Sequence, residues 1–309
     1  LQRSRLADGL GFSRLGVFDY GKVLTALQVS GYSNAAGRLC DWIRTNGMTI
    51  EGDLAPRPEK ARDRDYAYPN AWVIMGTHRL GQFDLSQKAM DFLMGFRDSK
   101  SGGFYSSATE RNFDTKQDVI YVSFCGLAAL CTGRLDVARG VGRWMRTIMD
   151  LQPNFPEELY TVYSRAKGLH ELPKSENDIR YVVYQNAARN QHFFQPGTAA
   201  AFLARLHQAT GEIEWIDLAR QYMQFPEGAN DYLFRLLQAG KVGWAASILY
   251  TLTGEEQYKK MAIRIGDNLI AAQSKKGYWK TSGHKRPNIN FTAEMVIWLD
   301  EIHQAVGRE

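Results

Sequence analysis

Residues 254–279, GEEQYKKMAIRIGDNLIAAQSKKGYW, define the unit from which this chain is built. A glycine opens one helical pattern in which Tyr258, Met261, Ala262, Ile265 and Leu269 share a stripe, so a single face is to be buried. The segment just before it, KVGWAASILYTLTG at 241–254, is apolar nearly all round, the pattern of a helix covered on every side. The unit is a buried helix, a tight glycine turn, a half-exposed helix and a longer loop. It recurs around Gly31, Gly81, Gly133, Gly211 and Gly254, and a sixth buried-type segment, NINFTAEMVIWLDEI, follows alone near the end. Helical hairpins repeated at a loose period predict an all-α repeat architecture.

The connections are asymmetric. Buried-to-striped links are short glycine turns, whereas the return links run to roughly 15–44 residues, against a usual helix–helix range of about 2–8. All long loops therefore gather at one end. The buried helices also present their N-termini there, with free N–H groups and partial positive charge. Long loops on a rigid scaffold are where binding and catalysis are usually placed.

With 309 residues and 44% hydrophobic composition the chain can build a large core. No Pro/Ser-rich linker interrupts it, so one domain is expected over 1–309, with 1–17 as an arm and 151–194 as a long insertion at the cavity mouth. No apolar run reaches the ~18 residues of a membrane span. The net charge of +5 comes from interspersed charges, 38 basic and 33 acidic, without the basic stripe and stacking aromatics of a nucleic-acid binder. Cys40, Cys125 and Cys131 are an odd set on helical segments, expected as reduced core thiols in a cytoplasmic protein. The chain opens at Leu1 without Met, which leaves room for an upstream segment having been removed.

Six inner helices ringed by outer ones make an α/α toroid (barrel), and over residues 18–302 the chain resembles that superfamily. It includes the terpenoid cyclases and protein prenyltransferases and, in parallel, the six-hairpin glycosidases and lyases. Gln273-x3-Gly277-x-Trp279 is similar to the QW motif of squalene and oxidosqualene cyclases, in which Gln and Trp tie an outer helix to the next repeat. Asp98-Ser-Lys-Ser-Gly-Gly-Phe104 is a degenerate copy. The cyclase DxDD and DDxxD motifs are absent, and the six histidines show no zinc-ligand spacing. No cofactor and no metal are therefore expected.

At the loop-bearing end, Tyr20, Tyr66, Tyr68, Trp72, Tyr121, Phe193, Lys241 and Trp244 are expected to contact a small-molecule substrate, a mixture of aromatic faces and a few polar groups that suits a ligand pocket. Asp114-Thr-Lys-Gln117 fits a capping box for the third inner helix. Asp118, one turn further in, is a candidate general acid through burial. Glu294 and His192 are further catalytic candidates. Lys241 opposes the helix dipole and calls for an acidic partner or an anionic ligand.

The leading expectation is a metal-independent cyclase or isomerase acting on a largely apolar isoprenoid- or polyketide-type molecule, by general-acid or conformationally enforced (pericyclic) closure. The alternatives are a carbohydrate hydrolase or lyase, with Asp118 and Asp19 or Glu294 as an acid/base pair, and a non-catalytic binding toroid. The wall discriminates between them: a sugar site is wet and charged, a cyclase chamber mostly Phe, Trp, Tyr, Leu and Met.

Overall fold

A computed structural model describes residues 15–57, 65–171, 181–280 and 288–307. Its inner helices are α1 (Val17–Val29), α3 (Ala67–Arg79), α5 (Val119–Cys131), α7 (Gln195–Thr210), α9 (Gly240–Thr253) and α11 (Ile289–Val306). The outer ones are α2 (Ser33–Trp42), α4 (Phe83–Met94), α6 (Leu135–Asp150), α8 (Ile213–Glu227) and α10 (Glu256–Ala271). Each inner helix packs on the next, and α11 packs back on α1, so the ring closes. The fold is the α/α toroid expected from the sequence.

Packing follows from patterning. In α5, α7 and α9 residues are buried on all sides. In α10 the buried side chains include the predicted stripe of Tyr258, Met261, Ala262, Ile265 and Leu269. The inner helices approach to backbone contact in places: a Cβ on Gly21 of α1 would stand 2.2 Å from the Trp72 carbonyl carbon of α3. Gly31, Gly81, Gly133, Gly211 and Gly254 all take φ between 71° and 80°, the left-handed conformation that ends a helix without a Cβ clash.

The QW-like segment acts as a strut. The Trp279 indole N–H donates to Leu269 O of α10 at 2.7 Å, and its backbone N–H donates to Thr292 Oγ1 of α11 at 3.3 Å. Gly277 at its turn has φ 80°. The degenerate copy has Gly102 at φ 85° with Phe104 buried, and a third copy, not apparent in the sequence, has Gly52 at φ 93° with Leu54 buried.

One expectation needs correction. The third inner helix starts at Val119, not Asp114, because Gln117–Asp118 forms a strand, β1. The described part of the insertion is built of short strands. It carries β2 (Glu158–Tyr160), β3 (Val162–Ser164), β4 (Gly168–Leu169) and β5 (Val182–Tyr184). Antiparallel pairing joins β1 to β3 with Asp118 opposite Val162, β3 to β4, and β2 to β5 with Leu159 opposite Val183. Most of the expected N-terminal arm, residues 1–14, lies outside the described residues, as does 172–180 of the insertion. No described helix is long and apolar enough to cross a membrane, and the three cysteines are free thiols.

At Gly211 a Cβ would meet nothing within 4 Å, so only the backbone angle demands glycine. Gly211→Ala is expected to cost about 1–2 kcal/mol. Gly37→Ala in α2, where the space is equally open, should instead stabilise by about 0.5–1 kcal/mol. Urea unfolding of both variants checks the sign difference.

Candidate functional site

The N-terminal ends of the inner helices surround one open cleft of about 430 Å³. At its base lies a buried ionic cluster. Glu294 projects from the second turn of α11, and its two carboxylate oxygens accept from different lysines: Oε2 from Lys22 Nζ of α1 at 2.7 Å, Oε1 from Lys241 Nζ of α9. All three side chains are no more than 4% exposed. Burial alone would push the Glu294 carboxyl up, but the two ammonium charges overrule it and hold its pKa down at about 2. Burial likewise works against a charged Lys22, and the carboxylate overrules it, raising the amine to about 12. Lys241 goes the other way: burial and the neighbouring Lys22 charge outweigh its share of the carboxylate, and its pKa is lowered.

Aromatic rings carry this cluster. Lys22 Nζ lies 5.2 Å from the Tyr68 ring centre and 5.6 Å from that of Trp72, and Lys241 Nζ lies 4.8 Å from Phe194 and 5.8 Å from Trp298. The negative ring faces favour the cations where water is excluded. Below, Trp72, Phe124, Trp244 and Trp298 interlock across α3, α5, α9 and α11, with Trp244 stacked on Trp298 at 4.9 Å and Trp72 tilted against Phe124 at 5.0 Å.

Above the cluster the wall is mixed. Asp19 accepts from the Gly16 N–H at 2.9 Å, which fastens the start of α1. Burial raises its pKa, against the opposing pull of that bond, Asn290 and Lys22. Asn290 bridges the ring closure: its Nδ2 donates to Phe18 O at 2.7 Å, and its Oδ1 accepts from Lys22 at 2.8 Å. Asp65 accepts from the Tyr121 hydroxyl. The His192 ring lies against Phe194, centroids 4.8 Å apart. Burial pushes the Tyr68 phenol up to about 12, so it stays protonated at neutral pH.

Of the residues expected from sequence, Tyr68, Tyr121, His192, Lys241 and Glu294 line the cleft, together with Asp19 and Lys22. The others lie elsewhere. Asp118 is the N-cap of α5, where it accepts from the Ile120 N–H at 3.0 Å, and the cleft is lined by Ile120 instead. The capping role given to Asp114 therefore belongs to Asp118, and Asp114 is exposed. Tyr20 points outward against Trp42, since it stands 200° from Lys22 on a helix turning about 100° per residue. Tyr66 stacks on Phe96 and donates to Asp53. Phe193 is buried beside the cleft, and Phe194 takes its place in the wall. Trp72 and Trp244 fill the floor. Sequence reasoning missed Phe18, Gln238, Asn288 and Phe291, although Phe18–Lys22, Asn290–Glu294 and Gln238–Lys241 show the i, i+3/i+4 spacing of one helical face. Among the described residues no group of three or more His, Cys, Asp or Glu could hold a metal ion.

No family model and no curated protein matches the chain in sequence. Solved structures do match in fold. A D-mannose isomerase superposes with a TM-score of 0.69 at 14% identity, covering 94% of this chain and 87% of that one. A glycoside hydrolase family 76 α-mannanase from Bacteroides thetaiotaomicron gives 0.62 at 15%, covering 94% and 83%. An α-1,6-mannanase from Salegentibacter sp., in a variant inactivated at two adjacent aspartates and bound to α-1,6-mannotriose, gives 0.63 at 12%, covering 94% and 90%. The fold is thus the α/α toroid that these structures share. These neighbours act on carbohydrates, and the resemblance to terpenoid cyclases finds no support in them: the QW-like segment is a strut of the ring.

Removing the shared carboxylate leaves the buried Lys22 ammonium without a counter-charge and Lys241 without its acceptor. Glu294→Gln is expected to cost about 3–5 kcal/mol, read from urea unfolding at neutral pH. Because the folded pKa of Glu294 is depressed from 4.5 to about 2, its contribution is present above pH 4.5. It should be lost as pH falls from there towards 2, and Glu294→Gln should flatten that acid limb.

Proposed function

We propose that this chain is a carbohydrate-active enzyme whose substrate sits in the cleft above the Lys22–Glu294–Lys241 cluster. The observation that carries this reading is the wall. Nine lining residues are polar or charged (Asp19, Lys22, Asp65, His192, Gln238, Lys241, Asn288, Asn290 and Glu294) against six that are not (Phe18, Tyr68, Ile120, Tyr121, Phe194 and Phe291). A closed apolar chamber for an isoprenoid or polyketide chain would reverse that balance. Carboxylates that accept, and amides that both donate and accept, suit vicinal hydroxyls, and aromatic faces suit the C–H face of a sugar ring.

Within that class, isomerisation or epimerisation of a free reducing sugar fits better than glycoside hydrolysis. Hydrolysis by paired carboxylates needs an acid and a base or nucleophile on either side of the bond. Glu294, with both oxygens bonded to lysines and a pKa of about 2, is a poor base and is never an acid near neutrality. Asp65 is engaged by Tyr121. The mannanase variant noted above is inactive without two adjacent aspartates, and this sequence contains no Asp–Asp pair. Asp19, whose raised pKa brings it nearer neutrality, and His192 are the groups suited to moving a proton.

In this reading a proton leaves C2 of the open-chain aldose to one of these groups and returns at C1. The Lys22 ammonium, which keeps its proton, stabilises the oxygen on which negative charge develops. Glu294 holds both lysines in place, and Tyr68 and Phe194 pack against the sugar.

The experiment is incubation with reducing aldoses and ketoses in D₂O. Aldose–ketose or C2-epimer conversion is followed by NMR alongside deuterium uptake at C2. Asp19→Asn keeps the helix-start acceptor but should lower kcat by about 10²–10⁴-fold with little change in KM. Release of reducing ends from α-1,6-mannotriose, with no conversion of any free sugar, would favour hydrolysis instead.

A further inference from the structure

We propose that Lys241 is a nucleophilic amine that forms an imine with the open-chain carbonyl of the bound sugar, a step that rests on the cleft taking a reducing sugar as set out above. The geometry separates the two lysines. Lys22 donates to Glu294 Oε2 at 2.7 Å and to Asn290 Oδ1 at 2.8 Å, with the Tyr68 and Trp72 rings close by. Among the described residues Lys241 Nζ has a single acceptor, Glu294 Oε1, and its other neighbours are the faces of Phe194 and Trp298 and the cleft itself. Lys22 is satisfied by acceptors, whereas Lys241 is left with donors aimed at rings and at a substrate.

Charge counting leads to the same residue. Two buried amines share one carboxylate, so the fully protonated cluster carries a net positive charge where burial penalises charge. Loss of one proton makes it neutral, and the amine with fewer acceptors is the one to lose it. The titratable groups facing Lys241 across the cleft are Lys22 and Asp19 of α1, Asp65 and Tyr68 at the start of α3, Tyr121 of α5, His192 ahead of α7, and Glu294 of α11. Lys22 disfavours the second proton. The carboxylates of Asp19 and Asp65 favour it, but the pKa of Asp19 is itself raised by burial and Asp65 is engaged by Tyr121.

The step balances without an oxidant or reductant. The neutral amine attacks the carbonyl carbon, a C–N bond forms, and the carbonyl oxygen leaves as water with the two protons of the nitrogen. The resulting C=N bond draws electrons from C2 and makes its proton easier to remove. Return of that proton to C2 from the opposite face restores the C=N bond, and water then attacks its carbon and releases the C2 epimer with the free amine, so the imine serves epimerisation at C2.

The test is reductive trapping on the full chain. The protein is incubated at neutral pH with sodium cyanoborohydride and, in separate arms, glycolaldehyde, D-glyceraldehyde or D-mannose, and peptide mass spectrometry locates the alkylated lysines. Lys241 is expected to be labelled by the aldehydes and by the sugar, at least ~10-fold faster than exposed Lys275 and Lys276. Lys22→Met leaves Glu294 paired to Lys241 alone, so labelling of Lys241 should fall by about 10-fold in a protein whose melt shows it folded. The wild-type result stands without that variant, and Lys241→Met, which leaves the Lys22–Glu294 pair, should abolish the adduct. A sugar that binds by calorimetry and is converted without labelling Lys241 would overturn the imine while leaving the sugar reading intact. Labelling by glycolaldehyde but by no sugar overturns the proposal as stated and moves the cleft to another carbonyl compound.

Discussion

One buried carboxylate joins the two ends of the ring. Glu294 sits on the last helix, Lys22 on the first and Lys241 on the ninth, so the contact that neutralises the cluster also draws α1, α9 and α11 together. A carboxylate buried to this degree persists only when its charge is matched and its lone pairs are satisfied. Here both conditions are met by residues that come together only when the ring is closed. The same contact fixes the base of the cleft. Closure of the fold and formation of the site are therefore one event.

Sequence patterning carried the architecture because it depends on periodicity and on backbone angle. A helix buried all round and a helix buried on one face read differently along the chain, and a left-handed turn reads as glycine. All five hairpin glycines therefore appeared in the sequence and again in φ. The strands of the insertion were harder to see. They are two or three residues long, too short for an alternating pattern to show, and apart from β3 with β4 they pair across separations of tens of residues, as Asp118 does with Val162. The loop around Gly52 escaped for a similar reason: its geometry matches those at Gly102 and Gly277, but its sequence does not.

The site was legible in outline and not in detail. The end of the ring at which it lies followed from loop lengths, and Tyr68, Tyr121, His192, Lys241 and Glu294 came from that inference alone. Adjacency in sequence does not give the helix face: Tyr20 lies next to Asp19 in sequence but on the far side of α1. A helix cap and a buried acid look alike in sequence, and Asp118 is the cap. Lys241 called for an acidic partner or an anionic ligand, and the structure supplies the partner. That the partner is Glu294, and that Lys22 shares it, depends on residues 272 and 53 positions apart, a relation that only the closed ring reveals.

The interlocked indoles under the cleft make the toroid a bowl rather than a tube. Trp244 and Trp298 stand one turn below Lys241 and Glu294, and the small polar hollow at the opposite face, around Arg205 and Glu301, is lined by residues one to two turns further along the same helices. Whatever enters the upper chamber must leave by the rim through which it came. A long polymer cannot thread the barrel from one side to the other. The cleft is thus open on one side alone, the side that bears the long loops.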